Sequence, residues 1–294
     1  MTLTELKTFL AIIDTGSLVR ASEQLHVTQS TVTARLKSLE AELGQALLHR
    51  NKSGATLTAA GVRLRTYART ISDLWQQAQQ EVALPDGLST LCNLACVPDL
   101  WASLGAPFFN TLRLHHPHVA ISVWLGSETE VADWLASGKS DIAFSRAPTT
   151  NPHQTQIAMP AEQLVLVTTD PDALVKDDSS YVYVEMGDAI GRDHAIAYAD
   201  SGAPRLSFNS AALGLRHLLE IGGSAYLPKQ VIAPYIASHQ LHILPETARF
   251  ERPCFLLLNT KARETWGWFE ACFQRFNDIH LSGDAQKVRS MPMY

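Results

Sequence analysis

Small and polar residues crowd one short stretch, residues 29–37, where their spacing suits contact with nucleic acid. These residues are Gln29, Ser30, Thr31, Thr33, Ala34 and Lys37. In a helix that turns by about 100° per residue, they lie on one side. Hydroxyls, amides and an ammonium group can bond to base edges and phosphates, and small side chains let a backbone approach them. The stretch therefore indicates a helix that fits the major groove of DNA. The alternative is the solvated face of an ordinary amphipathic helix.

Two short helices joined by a turn would position this face. Ser17 is a suitable N-cap for the first helix, whose apolar residues follow at helical spacing: Leu18, Ala21 and Leu25. His26 and Val27 form the predicted turn. Thr28 caps the second helix, and its buried face repeats at helical steps: Val32, Leu36, Leu39 and Leu43. This is the layout of a helix-turn-helix.

A covering helix and a basic hairpin complete the predicted unit. The helix precedes Thr15-Gly16, and its apolar residues are Leu3, Leu6, Phe9, Leu10 and Ile13. After Gly44, the run LLHRNKSGATLT predicts two short strands around a basic loop with Gly54 at its tip. Three basic side chains are placed to meet phosphates: Arg20, Arg50 and Lys52.

The N-terminal sequence resembles the LysR-type transcriptional regulators. The residues that carry the resemblance are FLAIIDTGSLVRASEQLHVTQSTVTARLKSLEAELGQALLHR and then LTAAG at 57–61. Ala34 stands where the family often has arginine, Arg35 takes a position where glutamine is common, and Leu48 replaces a frequent phenylalanine. These departures concern base preference, and Arg35 joins the predicted DNA-contacting residues.

The resemblance implies a multidomain α+β chain. Its parts would be a winged helix-turn-helix domain at 1–57, a linker and dimerisation helix at 58–87, and an effector-binding domain at 88–294. The last would resemble type 2 periplasmic binding proteins, with lobe one at 88–161 and 266–294 and lobe two at 162–265. A small-molecule effector would bind between the lobes.

Charge is divided unevenly along the chain. Residues 1–69 hold nine Lys and Arg against five Asp and Glu, which gives +4. Because the whole chain carries −5, the remainder carries −9. A basic head on an acidic body suits a protein that binds DNA with one end only. A DNA-compacting architectural protein would need stronger positive charge.

A long helix is predicted from Thr58 to Leu84, before Pro85-Asp86-Gly87. Its apolar residues alternate steps of four and three, which is the pattern of a heptad seam. The predicted dimerisation residues are Leu64, Ala68, Ile71, Trp75 and Ala78. The alternative is that the seam packs on its own domain. In the resembled family this helix pairs with a second copy, which implies a homodimer or homotetramer and a two-fold related operator.

Short apolar runs alternate with helical stretches after residue 88, which predicts parallel sheets with crossover helices in two lobes. Ligands of such sheets sit beyond the carboxyl ends of the strands. The effector-site candidates that this rule selects are Val97, Pro98, Asp99, Leu100, Gly126, Ser127, Ser145, Arg146, Asn209, Gly223 and Ser224. Asp99 would repel a carboxylate ligand, although it could equally cap the next helix. Arg146 could pair with an anionic ligand, with Asp99 or with water.

Other functions find little support in the sequence. Signatures of hydrolase, nucleotide-binding and zinc-protease sites are missing, the run GDAIGRDH at 187–194 is predicted to be a loop, and no metal or cofactor is expected. Four cysteines without paired spacing, and no apolar run of membrane length, predict a cytoplasmic bacterial protein. We expect a DNA-binding transcriptional regulator with RNA polymerase as a further partner. The alternative is a ligand-binding-fold enzyme with an attached DNA-binding head.

Overall fold

The computed structural model describes residues 1–51, 54–172, 180–199, 204–245 and 247–281. The chain divides into two compact units. The first comprises Met1–Leu91 with Asp133–Ser140, and the second comprises Cys92–Ala132 with Asp141–Tyr294. The predicted DNA-binding domain and the predicted linker helix therefore fall in the same unit.

Three capped helices open the first unit: α1 (Leu3–Thr15), α2 (Leu18–Gln24) and α3 (Gln29–Leu43). The N-caps are hydroxyl side chains, as expected for Ser17 and Thr28, and Thr2 forms a capping box with Glu5. Helices α1 and α3 end at Gly16 and Gly44, whose φ values of 66° and 63° are left-handed. The predicted helix-turn-helix and its covering helix are confirmed.

The predicted wing is also confirmed. Strands β1 (Leu48–Asn51) and β2 (Gly54–Leu57) pair antiparallel. The wing is held against the α1–α2 turn, since the Ala55 amide donates to the Gly16 carbonyl at 2.9 Å. A side chain at Gly54 would place its Cβ 2.6 Å from that carbonyl oxygen, so glycine is required for this close approach.

Helix α4 (Ala59–Val82) follows the wing, with Thr58 as its N-cap. Its first half belongs to the core of the first unit. Ala68 is fully buried there and Leu64 packs against the same core, which includes Leu6, Phe9 and Ile12. The second half of α4 leaves its apolar residues exposed.

A first lobe with alternating strands and helices follows, and most of its residues belong to the second unit. These elements are β3 (Thr90–Cys96), α5 (Pro98–Leu100), a π-helix (Trp101–Gly105), α6 (Ala106–His115), β4 (Val119–Leu125), α7 (Glu128–Ser137) and β5 (Ile142–Ser145). Strands β3 and β5 are parallel. The π-helix directly after α5 marks this part of the lobe as a candidate site, because such segments are frequent at functional sites.

The second lobe continues the alternation. Its elements, with the strands that cross into it, are β6 (Gln154–Thr168), β7 (Val182–Val184), α8 (Asp188–Ala197), β8 (Leu206–Phe208), α9 (Ala211–Glu220), β9 (Ser224–Pro228), α10 (Lys229–Ala237), β10 (His242–Ile243) and β11 (Phe250–Asn259). Helices α11 (Thr260–Thr265) and α12 (Phe269–His280) close the described chain. The run at 187–194 forms most of α8, so its assignment as a loop was wrong.

One seven-stranded sheet runs through both lobes, in the order β10-β6-β11-β5-β3-β4 with β9 on β6. The long strands β6 and β11 pair antiparallel from Phe250 opposite Leu164 to Asn259 opposite Gln154. The sheet is therefore mixed, and the prediction of parallel sheets holds for β3 with β5 and for β7 with β8. Because Phe255–Leu258 already pair with β5, the chain re-enters the first lobe's sheet before residue 266, the predicted boundary.

Candidate DNA interface and effector cleft

The N-terminal end of α3 presents a polar surface. Gln29, Ser30, Ala34 and Lys37 are exposed, whereas Thr31 and Thr33 are half-buried. The Thr28 hydroxyl organises this end: it accepts from the Thr31 amide at 3.2 Å and lies 2.8 Å from the hydroxyls of both Ser30 and Thr31. Apolar contacts on the other face, through Val32, Leu36 and Leu39, hold α3 to α1 and α2.

Arg35 is anchored within the unit. Its Nη1 donates to the Thr8 hydroxyl on α1 at 3.5 Å, and that hydroxyl in turn donates to the Thr4 carbonyl at 2.7 Å. A half-buried guanidinium in this position orients α3 relative to α1. The family resemblance groups Arg35 with the DNA contacts, and the structure gives it an intramolecular partner.

Three basic residues are predicted to flank the polar surface. The exposed Arg20 lies beside the α1–α2 turn, because a Cβ added at Gly16 would be 3.7 Å from its Nη2 atom. Arg50 lies in β1 opposite Ala55. Lys52, also predicted to contact phosphate, falls outside the described residues.

The predicted dimerisation seam divides into two parts. Ala68 is fully buried in the core of the first unit, which leaves it no surface for a second chain, and Leu64 is partly buried against the same core. Ile71, Trp75 and Ala78 are exposed, with fractional exposures of 38% for Ile71 and 49% for Trp75. Tyr67 and Val82 extend the same exposed series at helical spacing.

Four charged side chains form a cluster in the second unit, which we call the ion cluster: Asp99, Arg146, Glu162 and Arg252. Arg146 Nη2 lies 3.1 Å from Asp99 Oδ2 and 2.7 Å from Glu162 Oε2. Arg252 Nη1 lies 2.7 Å from the same Asp99 oxygen, and its Nη2 lies 2.5 Å from the same Glu162 oxygen. Each arginine thus bridges both carboxylates, and the four charges sum to zero.

The elements that bring the ion cluster together come from both lobes and from the strands between them. Glu162 and Arg252 are register partners on β6 and β11, immediately before a register shift between Arg252 and Cys254. Such irregularities bend strands and re-aim side chains. The cluster reaches the first lobe through Asp99 and the Ser103 hydroxyl, which donates to Glu162 at 3.3 Å. It reaches the second lobe where Arg252 Nη1 donates to the Met186 carbonyl at 3.3 Å.

Burial makes these pairings energetically important. Glu162 and Arg252 side chains are 2% and 4% exposed, Arg146 is 15% exposed and Asp99 is 29% exposed. Burial alone would raise the pKa of Asp99, but the two guanidinium groups outweigh burial and hold it below its usual range. Burial alone would lower the pKa of Arg146, and the carboxylates of Glu162 and Asp99 raise it instead. Both groups are therefore charged at neutral pH.

The other predicted effector positions of the first lobe have partners within that lobe. Ser145 donates to Glu128 at 2.6 Å, and the Arg146 amide donates to the same carboxylate at 2.8 Å. Pro98 is the first residue of α5 and precedes Asp99. The Gly126 amide donates to the Cys96 carbonyl, and the Ser127 hydroxyl donates to the Glu130 carboxylate. Val97 and Leu100 are buried and pack in the first lobe.

Two predicted positions in the second lobe do not follow a strand, as the prediction had assumed. Gly223 and Ser224 stand at the amino end of β9, where Ser224 bridges in parallel to Tyr181 at the start of β7. Ser224 is buried, and a Cβ at Gly223 would lie 2.4 Å from the Ser180 carbonyl oxygen. These residues therefore pack strands at the end of the lobe opposite the carboxyl end of β7. The glycine pair resembled a loop after a strand, but it precedes one.

An open pocket lies at the carboxyl ends of β7 and β8, and we call it the second-lobe pocket. It encloses about 420 Å³, and the residues that line it are Tyr183, Glu185, Ser207, Phe208 and Asn209. The Glu185 amide donates to the Phe208 carbonyl at 2.7 Å, which fixes the two strand ends together. Asn209 was predicted here, whereas Tyr183, Glu185 and Phe208 were not.

Sequence reasoning also missed Glu162 and Arg252. The available signal was a charged residue just before an apolar run, in EQLVLVTT and in ERPCFLLLN. Strand starts are often exposed, so this signal is weak until the two strands are known to pair. No described helix is long and apolar enough to cross a membrane.

Two family models match the chain. The model described as "Bacterial regulatory helix-turn-helix protein, lysR family" matches residues 3–62, and the "LysR substrate binding domain" matches residues 85–266. The HTH-type transcriptional regulator HdfR of Escherichia fergusonii is 27% identical over 256 residues, which cover 86% of this chain and 90% of that protein. HdfR from an Escherichia coli strain matches at the same identity and coverage.

Solved structures share the fold. CbnR, a LysR family transcriptional regulator, has a TM-score of 0.60 at 18% identity and covers 94% of this chain and 98% of its own. DarR of Vibrio fischeri, solved in complex with DNA, has a TM-score of 0.55 at 20% identity and covers 94% and 98%. LysG of Corynebacterium glutamicum, solved with bound effector Arg, has a TM-score of 0.55 at 22% identity and covers 95% and 97%.

Proposed function

This chain belongs to the LysR family of bacterial helix-turn-helix regulatory proteins, and we propose that it contacts its operator with the exposed N-terminal half of α3. It is a DNA-binding transcriptional regulator with an effector-binding domain. The observation that carries the proposal is the polar end of α3, organised by Thr28 and backed by a fully buried apolar face. A rigid helix with small exposed residues can approach base edges closely.

The side chains divide by the DNA groups they would contact. Gln29, Ser30, Thr31, Thr33 and Ala34 lie where base edges would come. Arg20, Lys37, Arg50 and Lys52 would neutralise phosphates, which fixes the position of the protein without reading sequence. Arg35 would act mainly by positioning α3 through Thr8, since its guanidinium is already engaged there.

A second copy of the chain is the proposed partner of α4. The apolar residues exposed on its second half are spaced as in a coiled-coil seam, and they include Ile71, Trp75, Ala78 and Val82. Exposed apolar surface of this kind marks an interaction site. Two paired chains would present two α3 helices to a two-fold related operator. Dimers could associate further into a tetramer.

The effector is proposed to bind in the cleft between the lobes. The ion cluster touches the first lobe, the crossing strands and the second lobe, so a ligand beside it can favour one lobe angle over another. Control requires that the ligand bind the two lobe arrangements with different affinity. The change in lobe angle would alter the spacing of the paired heads and the access of RNA polymerase, in the bacterial cytoplasm.

A selection experiment tests the proposal. Purified protein is mixed with random and genomic duplexes at two salt concentrations, and the retained DNA is sequenced. We expect a two-fold related site whose recovery survives the higher salt. Recovery of weakly held duplexes without a shared sequence would contradict sequence-specific binding by α3.

A further inference from the structure

We infer that the effector carries a cationic nitrogen group on an apolar body, and that it binds in the second-lobe pocket with Glu185 as its counter-ion. This inference rests on the proposed effector function of the cleft and deepens it by naming the ligand class. Two separate features lead to it: the arginines of the ion cluster are already paired with carboxylates, and the second-lobe pocket offers a carboxylate together with aromatic rings.

Both arginines of the ion cluster are already paired with carboxylates of the chain. Arg146 donates through Nε and Nη2 to Asp99, through Nη2 to Glu162 and through Nη1 to the Cys254 sulfur. Arg252 uses Nε and Nη2 for Glu162 and Nη1 for Asp99 and the Met186 carbonyl. A carboxylate ligand would have to displace one of these carboxylates and leave it unpaired in a buried site, which is costly.

The second-lobe pocket has the opposite character. Glu185 is exposed there, and among the described residues that line the pocket none is basic. Tyr183 and Phe208 supply two aromatic rings beside this carboxylate. Burial and the negative charge of Glu185 both raise the pKa of Tyr183, which agrees with a carboxylate close to that ring. A cation gains both from a carboxylate and from the face of an aromatic ring.

The size and remaining polarity of the pocket suit a small organic cation. Its volume of about 420 Å³ lies in the range of ligand sites. The rings of Tyr183 and Phe208 can cover an apolar body, while Ser207 and Asn209 add a hydroxyl and an amide for a further polar group. An ammonium ion alone would leave the aromatic walls unused.

The second-lobe pocket is linked to the ion cluster through two consecutive residues, Glu185 and Met186. Glu185 is followed by Met186, whose carbonyl accepts the hydrogen bond from Arg252. The Glu185 amide is itself held by the Phe208 carbonyl at 2.7 Å. A ligand that draws Glu185 towards it would therefore act directly on the contact between the second lobe and the crossing strands.

Three probes of the same shape and different charge test the ligand class: phenethylamine, 2-phenylethanol and phenylacetate. Their binding to the full-length protein is measured by isothermal titration calorimetry at one ionic strength. We expect phenethylamine to bind about tenfold more tightly than phenylacetate, equivalent to about 1.4 kcal/mol, with the alcohol between them. Equal binding of all three, stronger binding of phenylacetate, or no binding of any probe would overturn the inference.

Two variants test the residues. Glu185→Gln should weaken phenethylamine about tenfold and leave 2-phenylethanol nearly unchanged, because only the charge is removed. Phe208→Leu should weaken both ligands. The control is Glu220→Gln, an exposed carboxylate paired with Arg216 on α9, which should change neither affinity. If Glu185→Gln, folded by circular dichroism, binds phenethylamine as well as the wild type, the assignment of Glu185 is wrong.

The duplex selection without any probe separates this inference from the proposed function. Wild-type protein that recovers a two-fold site and yet prefers phenylacetate would overturn the ligand class alone. Protein that binds phenethylamine through Glu185 and recovers no shared DNA sequence would leave the ligand class supported and contradict the operator proposal.

Discussion

The DNA-facing end of α3 and the ion cluster both use polar side chains, and they use them in opposite ways. At α3, Gln29, Ser30 and Lys37 are exposed, and further partners for them would come from another molecule. In the ion cluster, Glu162 and Arg252 are almost fully buried and each charge is neutralised within the chain. Exposed polarity on a buried scaffold thus marks a recognition surface, whereas buried polarity marks a joint between parts of the fold.

The largest expected effect is in the ion cluster. Arg252→Ala leaves Glu162 buried without its closest partner, and breaking such a pair costs about 3–5 kcal/mol of stability. We expect a lower urea midpoint for the second unit, followed by tryptophan fluorescence and circular dichroism. The matched control is Arg216→Ala, which removes an exposed ion pair and should change the midpoint little. Similar midpoints for the two variants would break the contrast between buried and exposed charge.

The exposed seam of α4 is the next test. Ile71→Asp places a charge where a second copy is expected to pack, so the protein should sediment as a monomer and bind a two-fold operator at least tenfold more weakly. Gln76→Asp, an exposed position on the same helix away from the proposed seam, is the control for a new charge. A variant that still sediments as the wild-type oligomer would move the dimer contact elsewhere on the surface.

A smaller effect distinguishes two kinds of contact at α3. Lys37→Ala should weaken all duplexes alike and reduce the salt slope by about 0.9, the value for one phosphate contact. Thr33→Ala should leave that slope unchanged and alter which operator bases are preferred. Fluorescence anisotropy at several salt concentrations measures both properties. An unchanged salt slope for Lys37→Ala would remove Lys37 from the phosphate contacts.

The smallest expected effect concerns pH. Because the pKa of Asp99 is lowered in the folded protein, its ion pairs stabilise the fold above the unfolded value of about 3.9. That stabilisation is lost as pH falls through the lower, folded pKa. Asp99→Asn should therefore be less stable than the wild type at pH 7, and the difference should narrow below pH ~3.9. Urea midpoints from pH 7 to pH 3 give this comparison, with exposed Asp86→Asn as the control. If the stability difference between Asp99→Asn and the wild type stayed constant from pH 7 to pH 3, the charge of Asp99 would be excluded as its cause.

Most of the first unit was predictable because its signals are local. Hydroxyl N-caps at Ser17, Thr28 and Thr58, glycine at 16 and 44, and apolar residues at helical spacing each act within one or two turns of the chain. The assignment of Ala68 to a seam between chains failed for a non-local reason, since Ala68 is fully buried within the first unit. A heptad seam looks the same whether its partner is another chain or α1 of the same unit.

The cleft was predictable only in part. Asp99, Arg146 and Asn209 were found because each follows a strand, and the rule that ligands lie beyond strand ends needs nothing more than strand positions. Gly223 and Ser224 failed because the order of helix, turn and strand was misjudged there. Glu162 and Arg252 were missed because they become a pair only when β6 and β11, separated by most of the second lobe, lie side by side.

The sequence by itself determined the helix-turn-helix, the wing, the long helix, the basic head and the family of the protein. These depend on spacing along the chain and on residue type. The tertiary structure decided which part of α4 stays exposed, which charges neutralise one another, and which carboxylate remains open in the second-lobe pocket. The physical reason is that burial and ion pairing depend on distances through space, and residues 162 and 252 become neighbours only when the sheet has formed.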